Sequence, residues 1–244
     1  MADGPGQIEN GDIAARLRGK RRAAIEIAIA YVLILAVIWA PRPWQRILWF
    51  VAVAGIAAMT CRTFEGLEEM GLRRKSFFRS LWVVGAALAI AAEAIAVAGA
   101  MHTLQVPSGP LQFIGTFWAY AIWTFVQQFL MQCFFLLRLL RVLPGSRSAA
   151  FAAALLFALA HLPNPILAPA TLIWGFAACL IFLHYRNLYP LGMAHAIFGI
   201  TIAITVPGPV VHNMRVGLGY LTYGHRHAHQ LQPLLQPERP ERVH

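Results

Sequence analysis

The chain holds 244 residues, 59% of them hydrophobic and only 12% charged. Soluble domains carry about 25% charged residues, so the composition excludes an ordinary soluble domain and predicts a protein of the lipid bilayer. The formal net charge of +10 does not predict a nucleic-acid partner: only two of the twenty basic residues are Lys, and most of the twenty sit at the ends of apolar blocks, where topology determinants lie.

Residues 1–22 read as a polar arm carrying Arg16, Arg18, Lys20, Arg21 and Arg22. The apolar run that follows, Ala23 to Ala40, is longer than the roughly 7–15 residues of a signal-peptide core, so it predicts a membrane helix and not a cleaved leader. Crossing the hydrocarbon takes about 20 mostly apolar residues. By that measure helices are expected at 23–40, 47–61, 79–101, 111–137, 148–162, 169–185 and 189–206. Proline marks the boundaries, where its missing donor and its ring end a helix: Pro41 and Pro43, Pro107 and Pro110, Pro144, Pro163 to Pro169, and Pro190. The expected class is all-α, a polytopic membrane bundle of seven helices spanning 23–206. An eighth is possible if a weakly apolar segment follows Val206, and the polar tail 207–244 is expected to be disordered from about Gly224. With the N-terminus in the cytoplasm, fourteen Arg and Lys of the arm and loops lie inside and two, Arg42 and Arg46, outside. The four arginines beyond Val206 run against that bias. Cys61, Cys133 and Cys179 share no paired spacing and are expected to be small buried fillers, not a disulfide framework or a zinc site.

A strongly polar group at membrane depth is a functional candidate by default. The candidates are Glu26, Glu93, Gln127, Gln128, Gln132, His161, His184 and His195. Gln128 and Gln132 are four apart and share one helix face, with Gln127 about 100° round. The plain reading of each amide is interhelical glue, contributing roughly 0.6–2 kcal/mol. His161 closes the run FALAH one turn after Phe157, and His195 lies in LGMAHAIFG one turn before Gly199. A single membrane histidine is ordinarily a hydrogen-bonded helix-end residue. Two on different helices, near a third polar helix, can converge on one site. Glu93 stands alone among Ala, Ile and Val, which leaves open a structural hydrogen bond or a proton-linked role. Glu26 and His184 lie near helix ends and can snorkel, and the tail histidines 225, 227 and 229 read as solvated.

Taken in order, these pieces resemble the family of CAAX proteases and bacteriocin-processing enzymes, the type II CAAX prenyl endopeptidase-like intramembrane proteases. That family carries Glu-Glu-x-x-x-Arg on one membrane helix, then Phe-x-x-x-His, then His-x-x-x-Asn or Asp. Phe157 and His161 match the second motif, and His195 matches the start of the third in a helix that begins Tyr189-Pro190-Leu191. At the first motif's spacing stand Gln127-Gln128-Phe129-Leu130-Met131-Gln132, so the likeness covers residues 111–206. A literal Glu68-Glu69-Met70-Gly71-Leu72-Arg73 lies between membrane helices and reads as an amphipathic connector.

The resemblance implies a membrane endopeptidase, a membrane peptide or lipidated protein as substrate, a bacterial plasma membrane as location, and Gln127, Gln128, His161 and His195 at the catalytic positions. In the family the motif-one Glu activates a water while the histidines and Asn assist. Here both carboxylates and the guanidinium are replaced by Gln, and Gly199 replaces the Asn or Asp. An amide cannot take a proton from water near neutral pH, so Gln cannot be the general base. Two neutral imidazoles with amides make a poor metal site, and neither metal nor cofactor is expected. Losing both signs of charge together leaves no uncompensated buried ion, so the site reads as neutralised. Three functions remain open: a divergent or inactive protease that binds or regulates, an active membrane enzyme using the histidines with Glu93 as acid, and a purely structural membrane protein.

Overall fold

A computed structural model of the chain describes residues 5–64, 66–72 and 76–223. The described secondary structure is helical throughout, with no strand. The helices are α1 (Pro5–Trp39), α2 (Arg42–Arg62), α3 (Phe77–Ser80), α4 (Trp82–Ala100) and α5 (Pro110–Phe129). A π-helical segment (Leu130–Leu136) then continues without a break into α6 (Leu137–Val142). They are followed by α7 (Ser146–Leu159), α8 (Leu167–Tyr185), α9 (Tyr189–Thr205), α10 (Gly208–Val211) and α11 (Gly217–Leu221). Among the described residues, five stretches are long and apolar enough to cross a membrane: Asp12–Trp39, Arg42–Arg62, Phe77–Ala100, Pro110–Val142 and Leu167–Tyr185. α7 and α9 are apolar but shorter, at 14 and 17 residues. The polytopic bundle is the expected one, and two boundaries shift. The basic arm is not separate from the first membrane helix, because α1 runs unbroken from Pro5 through its arginines and lysine. Those residues are good helix formers, and nothing between them and Ala23 stops the helix.

The short α7 is accommodated by close packing. Ala149, Ala150, Ala153 and Ala154 are buried along one face, and small side chains let membrane helices approach closely. On α8 a Cβ at Gly175 would lie 3.3 Å from the Ala154 Cα and 3.2 Å from the Met131 sulfur, so the glycine is part of that fit.

Contacts between loops define the two ends of the bundle. At one end the Leu188 amide donates to the Gly71 carbonyl (3.0 Å) and the Cys133 thiol donates to the Met70 carbonyl (3.0 Å). Gly71 has φ +70°, and a Cβ there would press on the Phe182 ring and the Arg186 carbonyl, so this turn requires glycine. At the other end the Gln105 amide donates to the Ile204 carbonyl (2.7 Å) and the Gly217 amide to the Leu162 carbonyl (2.8 Å). Buried Asn164 holds this end together: its Nδ2 donates to the carbonyls of Val211 (2.9 Å) and Arg215 (3.1 Å), and its Oδ1 accepts from the amides of Ile166 and Leu167 that open α8. Residues 207–223 are therefore folded back over the bundle and do not begin the tail. α10 and α11 have four and five residues, so no eighth long helix follows Val206 among the described residues. The expected disorder beyond Gly224 falls outside the described residues. The literal Glu-Glu-x-x-x-Arg places Glu68 and Glu69 in exposed turns of the connector between α2 and α4, and Arg73 lies outside the described residues.

Glu26 and Arg138 correct the expectation most sharply. Neither snorkels nor marks a loop. Glu26 is 9% exposed and Arg138 4% exposed, and they form an ion pair of 2.8 Å across 112 residues of sequence. The other Glu26 oxygen pairs with the more exposed Arg22 at 2.9 Å. The remaining Arg138 donors go to the carbonyls of Phe134 (3.2 Å) and Met59 (3.1 Å) and to the Thr63 hydroxyl (3.0 Å), and its guanidinium lies 3.7 Å over the Phe134 ring. One side chain thus ties α1, α2, α6 and the π segment together. Cys133 and Cys179 are buried as expected, whereas Cys61 is exposed at the end of α2.

The two partners are not equivalent. Glu26→Gln strips a buried guanidinium of its counter-charge and is expected to destabilise the bundle by about 3 kcal/mol. Arg138→Met leaves Glu26 its Arg22 partner and should cost about half as much, and the double variant should recover most of the loss. Thermal unfolding in detergent measures the order; equal effects of the two single changes would contradict it.

Candidate functional site

The site is built where α5 passes into the π segment. All six residues from Met131 to Leu136 are buried, which requires packing on every side, and α7 and α8 pack against the segment. π-helical turns inside helices often mark functional positions. Gln128, in the last turn of α5, and Gln132, in the π segment, are both wholly buried, and the Gln132 Nε2 donates to the Gln128 Oε1 at 3.3 Å.

From Gln128 the bonding continues to α9. The Gln128 Nε2 donates to the His195 Nδ1 at 3.2 Å, and His195 is 5% exposed. An accepting Nδ1 fixes the neutral imidazole as the Nε2–H tautomer. His161 is in the opposite form. Its Nδ1 lies 2.7 Å from the Phe157 carbonyl, which can only accept, so the proton sits on Nδ1 and Nε2 carries a bare lone pair. His161 occupies the turn after α7 and not its last helical position, and its Nδ1–H serves a carbonyl that the helix end leaves without a backbone donor. The Phe157 ring stands edge-on to both imidazoles, with centroids 4.7 Å from His161 and 5.7 Å from His195. Neither outer nitrogen is bonded to another protein group among the described residues. The pair therefore presents one hydrogen-bond donor and one acceptor, both beside the Phe157 ring.

Two aromatic side chains of α5 close the space against α9. A Cβ at Gly192 would run into the Phe125 ring, and one at Gly199 would overlap the Tyr120 hydroxyl. The position where the motif predicts Asn or Asp is thus occupied by an aromatic ring from another helix. Thr124, between Tyr120 and Gln128 on the same face, donates to the Ala121 carbonyl (2.7 Å) and lies 3.3 Å from the Gly192 carbonyl. Tyr120 and Thr124 were not foreseen. The available signal was their i−8 and i−4 spacing from Gln128 facing Gly192, Ala196 and Gly199, a row of small residues on α9.

The structure joins Gln128, Gln132 and His195 directly and brings His161 to them through Phe157. Gln127 is half-buried on the neighbouring face and takes no part in this chain of bonds. Glu93 is exposed on α4, on the side of the helix away from buried Ala91, so its use as an acid partner has no support from its position. His184 is exposed in the last turn of α8. Two buried polar atoms, the Gln132 Oε1 and the indole Nε1 of Trp174, have no hydrogen-bond partner among the described residues. A divalent metal does not fit this donor set. No group of three His, Cys, Asp or Glu exists among the described residues, the His195 Nδ1 is already taken by an amide, and a single His161 lone pair is left.

Residues 125–201 match the family model described as Type II CAAX prenyl endopeptidase Rce1-like. The match begins at the glutamine helix and ends in α9, so it contains Gln127, Gln128, Gln132, His161, His195 and Gly199 and leaves α1 to α4 outside. No curated protein matches the chain, and no solved structure does.

The interlock of Tyr120 and Gly199 is open to a direct check. Gly199→Asn alone should overpack the α5–α9 contact and destabilise by about 1–3 kcal/mol. Adding Tyr120→Ala to Gly199→Asn should return part of that stability, which thermal unfolding of the single and double variants measures. Additive losses would mean that the two residues do not share one space.

Proposed function

The chain belongs to the type II CAAX prenyl endopeptidase-like family through residues 125–201, and from that premise we propose that this membrane protein is a non-hydrolytic member, holding a membrane peptide or lipidated protein segment intact where its relatives cut. The observation that carries the reading is the amide of Gln128 on the His195 Nδ1 at 3.2 Å, where the family motif has a carboxylate. Hydrolysis of a peptide bond needs a base to take a proton from water and groups that stabilise the oxyanion. An amide has no basic lone pair near neutral pH. Among the residues whose burial is described, the carboxylates lie elsewhere: Glu26 is engaged by Arg22 and Arg138, and Asp12, Glu68, Glu69 and Glu93 are exposed.

The arrangement of the histidines supports binding. A backbone amide offers one carbonyl and one N–H. The His195 Nε2–H matches the carbonyl, and the bare His161 Nε2 matches the N–H. In a site screened from water such neutral bonds retain more strength than in bulk solvent. Carboxylate-for-amide exchange also acts beyond the loss of a base. A Glu at position 128 would accept from the His195 Nδ1, reverse the tautomer and expose a second basic nitrogen, so Gln128 sets the imidazole in its donating form.

The test uses the purified full chain in proteoliposomes with photo-crosslinkable membrane peptides, some carrying a prenyl group. Crosslinking to the α5–α9 region with the peptides remaining full-length by mass spectrometry is expected. His161→Ala should weaken capture by about fivefold, the worth of one neutral hydrogen bond. Cleavage by the natural chain that His161→Ala abolishes would overturn the proposal, as would capture indifferent to that substitution.

A further inference from the structure

A groove of about 760 Å³ lies between α1 and α2, outside the segment that matches the family and apart from the histidines. Its lining divides by chemistry. Arg18, Arg21 and Arg22 of α1 and Arg62 of α2 line one part, and Ile25, Ile29 and Met59 line the other. On α1, Arg18, Arg22, Ile25 and Ile29 fall at spacings of four, three and four, so charge passes into hydrocarbon along one stripe of the helix. The change comes at Ala23, where the apolar run begins, so the guanidinium groups sit at the level of the headgroups and the isoleucines at the level of the chains. Ile25 and Ile29 are 48% and 49% exposed, an open apolar wall directly below the charges.

The charge of the groove is not neutralised from within. Its one carboxylate, Glu26, has both oxygens engaged, one by Arg22 and the other by buried Arg138. Arg18, Arg21 and Arg62 form no ion pair among the described residues. Three exposed guanidinium groups bordering one open groove are matched to phosphate oxygens, which they bind with paired donors. The apolar wall beneath them rules against a free phosphate as the occupant, because inorganic phosphate has nothing to place there. We propose that the α1–α2 groove is a binding site for one anionic phospholipid of the surrounding bilayer, its phosphate held by Arg18, Arg21 and Arg62 and its first acyl segments lying along Ile25, Ile29 and Met59.

The Arg22–Glu26–Arg138 chain forms the floor of this site and continues to the Phe134 carbonyl of the π segment, so an occupant rests on the same ion pair that braces the glutamine helix. Site and proposed peptide binding are nevertheless independent, because the residues of each lie on different helices.

The full chain in a neutral detergent is titrated with phosphatidylglycerol, with phosphatidylcholine, with soluble glycerol phosphate and with a soluble acidic peptide, and followed by thermal unfolding and by native mass spectrometry. Phosphatidylglycerol should raise the unfolding temperature and persist as a single adduct, and the other three should do neither. Arg18→Gln/Arg21→Gln/Arg62→Gln, which spares the Arg22–Glu26–Arg138 chain, should bind phosphatidylglycerol roughly 100-fold more weakly, at about fivefold per guanidinium lost, while unfolding without lipid at the natural temperature. Ile25→Ser/Ile29→Ser should keep the selectivity for negative charge and lose the preference for long over short acyl chains. Equal stabilisation by phosphatidylcholine, or undiminished binding by the arginine variant, overturns the proposal. Stabilisation by glycerol phosphate alone would make this a phosphate site and a stronger response to the acidic peptide a protein-docking site, and an unaltered chain-length preference in the serine variant would remove the acyl seat; each of these also overturns it.

Discussion

Hydrocarbon offers a polar group no partner, so every amide, imidazole and ion that this chain buries must be met by another part of the chain. The bundle is arranged around two places where most of that demand is met, the Gln132 Oε1 alone of their amide atoms having no partner among the described residues, and both hang on the continuous helical rod Pro110–Val142. In one, Gln132 donates to Gln128 and Gln128 to His195, which joins the rod to α9. In the other, Arg138 is held by Glu26 and by two carbonyls and a hydroxyl, which joins the rod to α1 and α2. The π segment between them turns six successive side chains into the protein interior. The surrounding alanine and glycine packing lets the other helices come close enough to complete both knots.

The same demand explains why the departures from the protease motif occur together. A carboxylate at position 128 with no cation at 132 would leave a buried negative charge uncompensated, and a lone arginine at 132 would leave a positive one. Glutamine at both positions keeps the length and the hydrogen bonding and removes both charges. Gly199 belongs to the same pattern, since its missing side chain makes room for Tyr120, and the ring fills the volume instead of leaving a cavity. The outcome is a packed site in which Gln132, Gln128 and His195 bond in series, while the two outer imidazole nitrogens bond to no other group among the described residues. Across the bundle, α1 and α2 lie outside the family-like segment and, among the described residues, carry Arg18, Arg21 and Arg62 without an ion-pair partner. The two proposed sites thus differ in chemistry, one an interior cluster of amides and imidazoles and the other a charged groove at the edge.

Much of this could be read from residue order, and the failures have physical causes. Apolar block length and proline placement located the long helices, because crossing a bilayer imposes a length that few other structures require. The i,i+4 relation of Gln128 and Gln132 puts them on one helix face, and the structure bonds them to each other and Gln128 to His195. Gln127 was indistinguishable from Gln128 in sequence, yet one step along a helix is about 100° of rotation and turns it off the bonding face. Glu26 reads in sequence as a snorkelling end and Arg138 as one of the loop arginines, since a charge near the end of an apolar run looks the same whether it faces water or a partner 112 residues away. Tyr120 was one aromatic among many in its helix, and only the glycine opposite gives it a role. The π segment has no composition of its own to announce it. The helical character of the basic arm was legible from propensity and was obscured by its charge.

The central claim is that an amide at position 128 holds His195 as a neutral hydrogen-bond donor opposite a neutral accepting His161. Nitrogen-15 NMR of histidine-labelled protein in micelles near neutral pH tests it most directly, with the two resonances assigned by their loss in His161→Ala and His195→Ala. The account predicts two neutral rings of opposite tautomer, Nε2–H for His195 and Nδ1–H for His161, and a switch of His195 to Nδ1–H in Gln128→Glu. An imidazolium at either position, or the same tautomer at both, would contradict it.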